Sequence, residues 1–86
     1  MKKELAIQVG TILLTALDDF WRECYSPNLG EDFDWWYGIS NDWDVNISWS
    51  FVQNRLIGSL YPVDKSGNTI TDKSYPLTIN DKAVII

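Results

Sequence analysis

The chain has 86 residues, a formal net charge of −5 and a pI of about 4.3, values that describe one small acidic domain. Hydrophobic residues make up 45% and aromatic residues 14% of the chain, a composition that excludes a disordered protein. Because an acidic surface is repelled by DNA, RNA and anionic lipid, we expect no direct contact with nucleic acid or with a membrane.

Side chains that commonly perform catalysis or bind metals are scarce. There is no histidine, and Cys24 is the single cysteine, which excludes an intramolecular disulfide and a Ser–His–Asp or Cys–His arrangement. A zinc site has almost no ligands available, and no glycine-rich phosphate loop is present. We therefore expect no enzyme activity, no metal and no cofactor. Clustered carboxylates leave a small glycoside hydrolase as a minor alternative.

The first predicted element is an amphipathic helix over residues 3–25, ended by Ser26-Pro27, since the residue before a proline disfavours the helical conformation. Its predicted buried face follows spacings of three and four and consists of Leu5, Val9, Ile12, Leu13, Ala16, Leu17, Phe20 and Cys24. Ala6 and Trp21 widen this face, whereas Ile7 and Leu14 fall outside it, and Gly10 indicates a close packing contact. Glu4 and Gln8 interrupt the apolar run, so we expect no cleaved signal peptide and a cytoplasmic location.

Strands are predicted in the second half of the chain, where the hydrophobic period changes to two. Residues 45–52 alternate as a half-buried strand, and 56–63 return beside it. A two-residue turn at Gln53-Asn54 would place Phe51 opposite Leu56 and Trp49 opposite Gly58. A turn with Gly67 in the left-handed conformation leads to a third strand over 69–79, bent near Pro76.

The predicted fold class follows from this order of elements. Pro62 and Pro76 lack a backbone N–H and are expected at strand ends or sheet edges. Residues 83–86 are predicted to add a short last strand. The chain is thus expected to form a single α+β domain, residues 1–86, with an N-terminal amphipathic helix packed on an antiparallel β-meander of three to five strands.

The most unusual segment is GEDFDWWYGISNDWDV, residues 30–45. No basic residue lies between Arg22 and Arg55, whereas six acids do, so the negative charge is concentrated there. Trp35 and Trp36 are adjacent, and neighbouring residues on a strand point to opposite faces. One of the two indoles must therefore lie outside the core between helix and sheet.

Exposed aromatic side chains beside carboxylates are typical of protein interfaces with a basic partner. We expect a non-enzymatic protein that inhibits or regulates a basic partner, such as a nucleic-acid-binding enzyme or a toxin. Immunity proteins and anti-restriction or anti-CRISPR inhibitors have this general character. The predicted partner-binding residues are Glu31, Asp32, Asp34, Trp35, Trp36, Asp42, Trp43 and Asp44. A carbohydrate-binding module and a structural subunit that oligomerises through its aromatic surface remain alternatives, and the oligomeric state is left open, with a homodimer among the options.

Overall fold

The structure is a computed structural model that describes residues 1–24 and 33–79, with the side chains of residues 22–24 excluded. Within these residues a single helix is followed by one antiparallel sheet of four strands in the order β1-β2-β3-β4, which confirms the predicted α+β fold. The elements are α1 (Lys3–Cys24), β1 (Asp34–Gly38), β2 (Trp43–Ser50), β3 (Arg55–Pro62) and β4 (Tyr75–Leu77).

One layer of side chains between α1 and the sheet forms the core. The sheet contributes Val45 and Ile47 from β2, Leu56 and Leu60 from β3, and Leu77 from β4. The helix makes its main contacts with β3, β4 and β2, so β1 extends beyond it as an edge strand. Among the described residues, no helix is long and apolar enough to cross a membrane.

The buried face of α1 differs from the predicted one. Ala6 and Leu14 are fully buried, while Leu5, Ile12 and Phe20 on the predicted face are largely exposed. The polar residues Thr15 and Asp18 are also buried. The helix carries apolar residues on more than one side, and the side that contains Gly10 packs against the sheet. A Cβ atom at Gly10 would lie 2.9 Å from Leu77 Cδ1, so the predicted close contact is confirmed.

The β2–β3 pairing is confirmed, but its predicted register is wrong by two residues. Ser50 pairs with Arg55, Trp49 with Leu56 and Ile47 with Gly58. The turn therefore has four residues, 51–54, instead of two. A two-residue hairpin loop of type I′ needs a left-handed backbone at both positions, whereas Asn54 alone among the described non-glycine residues has a positive φ, 56°. Because both registers put the same residues on each face, alternation alone could not distinguish them.

The predicted third strand is much shorter than expected. Within residues 69–79 the strand is limited to Tyr75–Leu77, and Val63 and Thr69 form an isolated bridge. Pro76 lies in the edge strand β4 and Pro62 ends β3, as their missing N–H groups require. Gly67 adopts the predicted left-handed conformation, with φ 86°. The helix end at Ser26-Pro27, the environment of Cys24 and the predicted strand 83–86 lie outside the described residues.

Candidate binding surface

The edge strand β1 exposes both of its tryptophans, one on each face of the sheet. Trp35 pairs with buried Ile47 and so points to the side of the helix, while Trp36 pairs with Asn46 on the opposite side. Trp35 is 58% exposed and Trp36 49% exposed. The expectation that one of them lies outside the core is thus confirmed, and both are in fact accessible.

The surface that Trp36 occupies is the helix-free side of the sheet, which we call the outer sheet face. It is formed by every second residue of the strands: Asp34 and Trp36 of β1, Asp44, Asn46, Ser48 and Ser50 of β2, Ile57, Ser59 and Tyr61 of β3, and Pro76 of β4. Small polar residues fill its centre, and the aromatic and acidic residues lie near β1. The carboxylates of Asp34 and Asp44 and the indole of Trp36 therefore lie on the same face of the sheet.

The ring of Trp36 packs on that of Tyr61, with a centroid distance of 5.0 Å and an angle of 51° between the planes. The two residues are separated by β2, so the rings meet above Asn46 and Asp44. A tilted contact of this kind stabilises an aromatic pair beyond the area it buries, by about 1 kcal/mol. Trp36 is consequently held against the sheet while one side of its ring stays accessible to a partner.

Asp34 is fixed next to Trp36 by a side-chain hydrogen bond. Asn46 Nδ2 donates to Asp34 Oδ1 at 2.7 Å and also to the backbone oxygen of Trp35 at 3.2 Å. Asn46 thus ties the carboxylate to the edge strand. Because its rotamer is already restricted, Asp34 loses little conformational entropy when a partner binds.

Asp44 forms the second acidic point of the outer sheet face. Thr69 Oγ1 donates a hydrogen bond of 2.6 Å to Asp44 Oδ2. Its other oxygen, Oδ1, lies beside Gly38, where an added Cβ would approach it to 3.5 Å. Since Gly38 has no side chain, access to Asp44 from the edge of the sheet stays open. Among the described residues, no lysine or arginine forms an ion pair with Asp34 or Asp44.

The backbone of β1 adds a row of polar groups at the sheet edge. The Ile39 N–H donates to Trp43 O, and the Trp49 N–H donates to Phe33 O. In an antiparallel ladder the bonded residues alternate, so residues 34, 36 and 38 direct their N–H and C=O groups away from β2. A partner lying along this edge could use these groups as well as the side chains.

On the helix side, Trp35 continues a chain of aromatic rings. Trp21 of the helix meets Phe33 edge to face at 4.9 Å, and Phe33 lies 6.2 Å from Trp35. No carboxylate of the outer sheet face lies on this side of β1. Trp35 therefore belongs to a different surface from Trp36, although the two are adjacent in sequence.

The side chains of Asp42 and Trp43 both contact Met1. Asp42 Oδ2 lies 3.0 Å from the N-terminal ammonium of Met1. Trp43 Nε1 donates to the backbone oxygen of Met1 at 2.8 Å, and its ring meets Tyr75 at 6.1 Å. These two residues hold the segment before α1 against the sheet. The structure thus brings Asp34, Trp36 and Asp44 together but not Trp35, Asp42 or Trp43, while Glu31 and Asp32 lie outside the described residues.

Three residues that shape this site were not predicted from the sequence: Asn46 and Tyr61 on the outer sheet face, and Gly38 beside Asp44. The alternation of β2 could have found Asn46, because it places this residue on the same face as Asp44. Tyr61 requires the β2–β3 register, and Gly38 requires recognition of β1 as a strand. Among the described residues, no group of three or more His, Cys, Asp or Glu side chains could hold a metal ion.

Comparison of the chain with protein-family models, with curated proteins and with solved structures gave no match. Function must therefore be argued from the residues of the outer sheet face and the edge strand.

Proposed function

We propose that this protein is a non-enzymatic binding protein that covers a basic surface on another protein and thereby inhibits or regulates it. The observation that carries the proposal is the placement of Asp34 and Trp36 side by side on the outer face of an edge strand. Both side chains are exposed, and each is held by a contact within the protein. The surface thus combines negative charge, an aromatic anchor and restricted side-chain freedom.

The chemistry of this pair fits an arginine side chain of the partner. A guanidinium group can stack on the exposed side of the Trp36 ring and donate hydrogen bonds to a carboxylate. Asp34 and Trp36 are two residues apart on one strand, or about 7 Å, a distance that one arginine can bridge. Asp44 pairs with Gly38 across the ladder. Its carboxylate is available to a second basic side chain of the partner.

Long-range charge supports the same proposal. The outer sheet face carries Asp34 and Asp44 with no basic side chain of the described residues beside either, and the whole chain carries a net charge of −5. Such a field accelerates the approach of a basic partner and is weakened by salt. Binding would then combine electrostatic steering with an aromatic contact that sets the lifetime of the complex.

Partners of this chemistry include enzymes and toxins that bind nucleic acid, since their phosphate-binding grooves are rich in arginine and lysine. Carboxylates held at fixed positions on a sheet would occupy such a groove in place of phosphates. The proposal accordingly assigns the protein to the inhibitor class that contains immunity proteins and anti-restriction or anti-CRISPR proteins, by chemistry and not by relationship. Glu31 and Asp32, which precede Asp34 in the sequence, add to the negative charge of this segment.

The geometry favours this function over sugar binding or oligomerisation through the aromatic surface. Sugar binding on a flat surface favours coplanar rings, yet Trp36 and Tyr61 are tilted by 51° and Trp35 lies on the opposite face. Oligomerisation through this surface favours an apolar patch, yet Asn46, Ser48 and Ser59 occupy the middle of the outer sheet face.

The proposal can be tested by affinity purification from the native host with the tagged full chain at low and high salt. We expect a basic protein that is retained at low salt and released at high salt. A chain with Asp34→Asn and Trp36→Ala should retain much less of it, whereas Asp72→Asn, an exposed acid in the loop before β4 and not on the outer sheet face, serves as the matched control. Equal retention by both variants, or binding only to a glycan array, would contradict the proposal.

A further inference from the structure

The two edges of the sheet differ in how they are protected. At one edge, β4 has three residues and contains Pro76, which has no N–H to donate. At the other edge, β1 has five residues with neither proline nor lysine among them, and its backbone has no positive φ. Soluble proteins usually protect an edge strand by keeping it short or by placing proline or lysine in it. Of the strands that the structure describes, β1 is therefore the one whose edge is open to a further strand.

The two large side chains on the outer face of β1 lean away from this edge. The ring of Trp36 packs on Tyr61 across β2, and Asn46 of β2 holds the carboxylate of Asp34 at 2.7 Å. Neither side chain is thus turned toward the free side of the strand. The N–H and C=O groups of residues 34, 36 and 38 point to that side, so they are available to the backbone of a partner.

The two faces of this edge differ in chemistry. Asp34 and Trp36 lie on the outer sheet face, whereas Trp35 lies on the helix side between the half-buried Phe33 and Tyr37. Side chains of a strand added beside β1 would alternate between the same two faces. Its residues opposite Asp34 and Trp36 would meet a carboxylate and an indole, and the residues between them would meet Trp35. The edge therefore fits a segment in which basic residues alternate with apolar ones.

Charge favours such a segment over a second copy of this chain. Asp34 lies in β1 and Asp44 in the strand beside it, and no described lysine or arginine forms an ion pair with either. If two copies joined through their β1 strands into one antiparallel sheet, the same carboxylates of both copies would approach each other on one face. Like charges close together in a sheet are destabilising, whereas a basic segment is attracted.

From the open edge and its alternating chemistry we infer that the basic partner binds through an extended segment, which joins the sheet as a fifth strand beside β1. The inference rests on the proposed function and names the part of the partner that is recognised. Arginines of the segment contact Asp34 and the ring of Trp36, and the apolar residues between them cover part of Trp35. Hydrogen bonds to the backbone of β1 hold the segment in an extended conformation.

A pair of synthetic peptides tests the alternation. Both have about seven residues, the length of a typical strand, and both contain the same arginines and valines. In one peptide the two residue types alternate, and in the control they are grouped, so that net charge and composition are equal. Calorimetry with the full chain at low salt should give at least about tenfold tighter binding of the alternating peptide, because only its arginines all reach the outer sheet face in an extended conformation. Equal affinity, or no binding of either peptide, would overturn the inference.

Amide hydrogen exchange of the full chain, followed by NMR, reports the backbone contact directly. In the free protein the amides of Trp36 and Gly38 should exchange fast, while those of Trp35 and Tyr37, which point to β2, should be protected. Saturation with the alternating peptide should slow exchange at Trp36 and Gly38 at least about tenfold. Unchanged exchange at these two residues in the complex would contradict the inference. So would slow exchange in the free protein, which would show that another part of the chain already covers the edge.

N-methylation of the peptide backbone gives a matched control within the ligand. In an added strand only every second N–H points to β1, so methylation of one residue type should abolish binding and methylation of the other should be tolerated. Loss on arginine methylation indicates an antiparallel segment, because residues that face each other in bonded pairs share a face. Loss on valine methylation indicates a parallel one. Equal effects of the two methylations would rule out strand addition.

The same measurements separate this inference from the proposed function. If Asp34→Asn with Trp36→Ala weakened both peptides equally and the amides of Trp36 and Gly38 stayed unprotected, the outer sheet face would bind basic partners through side chains alone. The proposed function would then stand without a fifth strand. If the alternating peptide protected these amides but Asp34→Asn left its affinity at low salt unchanged, the edge would accept strands without regard to charge. The proposed function would then fall, and the preference for a basic segment with it.

Discussion

Asp18 Oδ1 accepts a hydrogen bond of 3.0 Å from the backbone N–H of Leu56. Its other oxygen, Oδ2, lies 3.2 Å from Arg55 Nη2. This carboxylate is fully buried, so one charged side chain of α1 holds the first residues of β3. The contact fixes the position of the helix along the sheet, and with it which face of α1 is covered and which stays outside.

Replacement of Asp18 by alanine should lower the free energy of unfolding by about 3 kcal/mol, because a buried N–H and a partly buried guanidinium lose their acceptor. Asp18→Asn should cost less, since the amide oxygen can still accept from Leu56. Urea unfolding at neutral pH measures both effects. Asp19→Ala, at the exposed neighbouring position, is the control and should change stability by less than about 0.5 kcal/mol. Equal stability of all three variants would show that the carboxylate does not hold the helix.

Gly58 lies opposite Ile47 beneath the helix, and a Cβ there would approach both Leu14 Cδ2 and the backbone oxygen of Asn46 to 3.3 Å. Gly58→Val should therefore destabilise the protein by about 1–3 kcal/mol through overpacking. The register predicts which second change relieves this strain. Leu14→Ala combined with Gly58→Val should cost less than the sum of the single changes, as a double-mutant cycle in urea would measure. Stronger coupling to Trp49 than to Leu14 would favour the register that the sequence alone suggested.

The sequence predicted the class of fold but not the orientation of its helix. The hydrophobic period was sufficient to predict the helix α1 and the pairing of β2 with β3 but not its register, and the missing N–H groups were sufficient to place both prolines. The buried face could not be deduced, because Leu5, Ile12 and Phe20 compete with Ala6 and Leu14 on hydrophobicity alone. Two features that do not depend on hydrophobicity determine which face of α1 is buried. Gly10 permits the close approach of Leu77, and Asp18 finds its partners at the start of β3.

The candidate surface was predictable to a similar extent. Adjacent tryptophans on a strand must point to opposite faces, so the exposure of at least one indole followed from the sequence. Which carboxylate shares a face with Trp36 depends on pairing across β1 and β2, and β1 has no alternating apolar pattern of its own. Asp42 and Asp44 therefore looked equivalent in sequence, although one lies at the N-terminal ammonium and the other on the outer sheet face.

Gly38 offers a way to cover Asp44 without changing its charge. The backbone of Gly38 lies in a strand and does not have a positive φ, so valine is compatible with it, and β propensity favours the change. Gly38→Val should leave the urea midpoint unchanged or slightly higher. Its side chain should obstruct Asp44 and slow association with an arginine-rich peptide, as stopped-flow fluorescence would measure at low salt.

The control for Gly38→Val is Asp44→Asn, which removes the charge and leaves the access open. Each variant should slow association, and the combination should slow it no further than the stronger single change. Full additivity of the two effects would mean that Gly38 acts through the edge of β1 and not through Asp44.

Trp35 and Trp36 form a matched pair for the central proposal, since they are adjacent, similarly exposed and directed to opposite faces of one strand. Trp36→Ala should increase the dissociation rate of the basic partner by about thirtyfold, the effect of losing about 2 kcal/mol at an interface anchor. Trp35→Ala should change this rate several-fold less, because no outer-face carboxylate accompanies it. Surface plasmon resonance at two salt concentrations separates this effect from steering, since salt and Asp34→Asn act mainly on the association rate. If Trp35→Ala had the larger effect, the partner would bind the helix side of β1, and Asp34 and Asp44 would have no direct part in the contact.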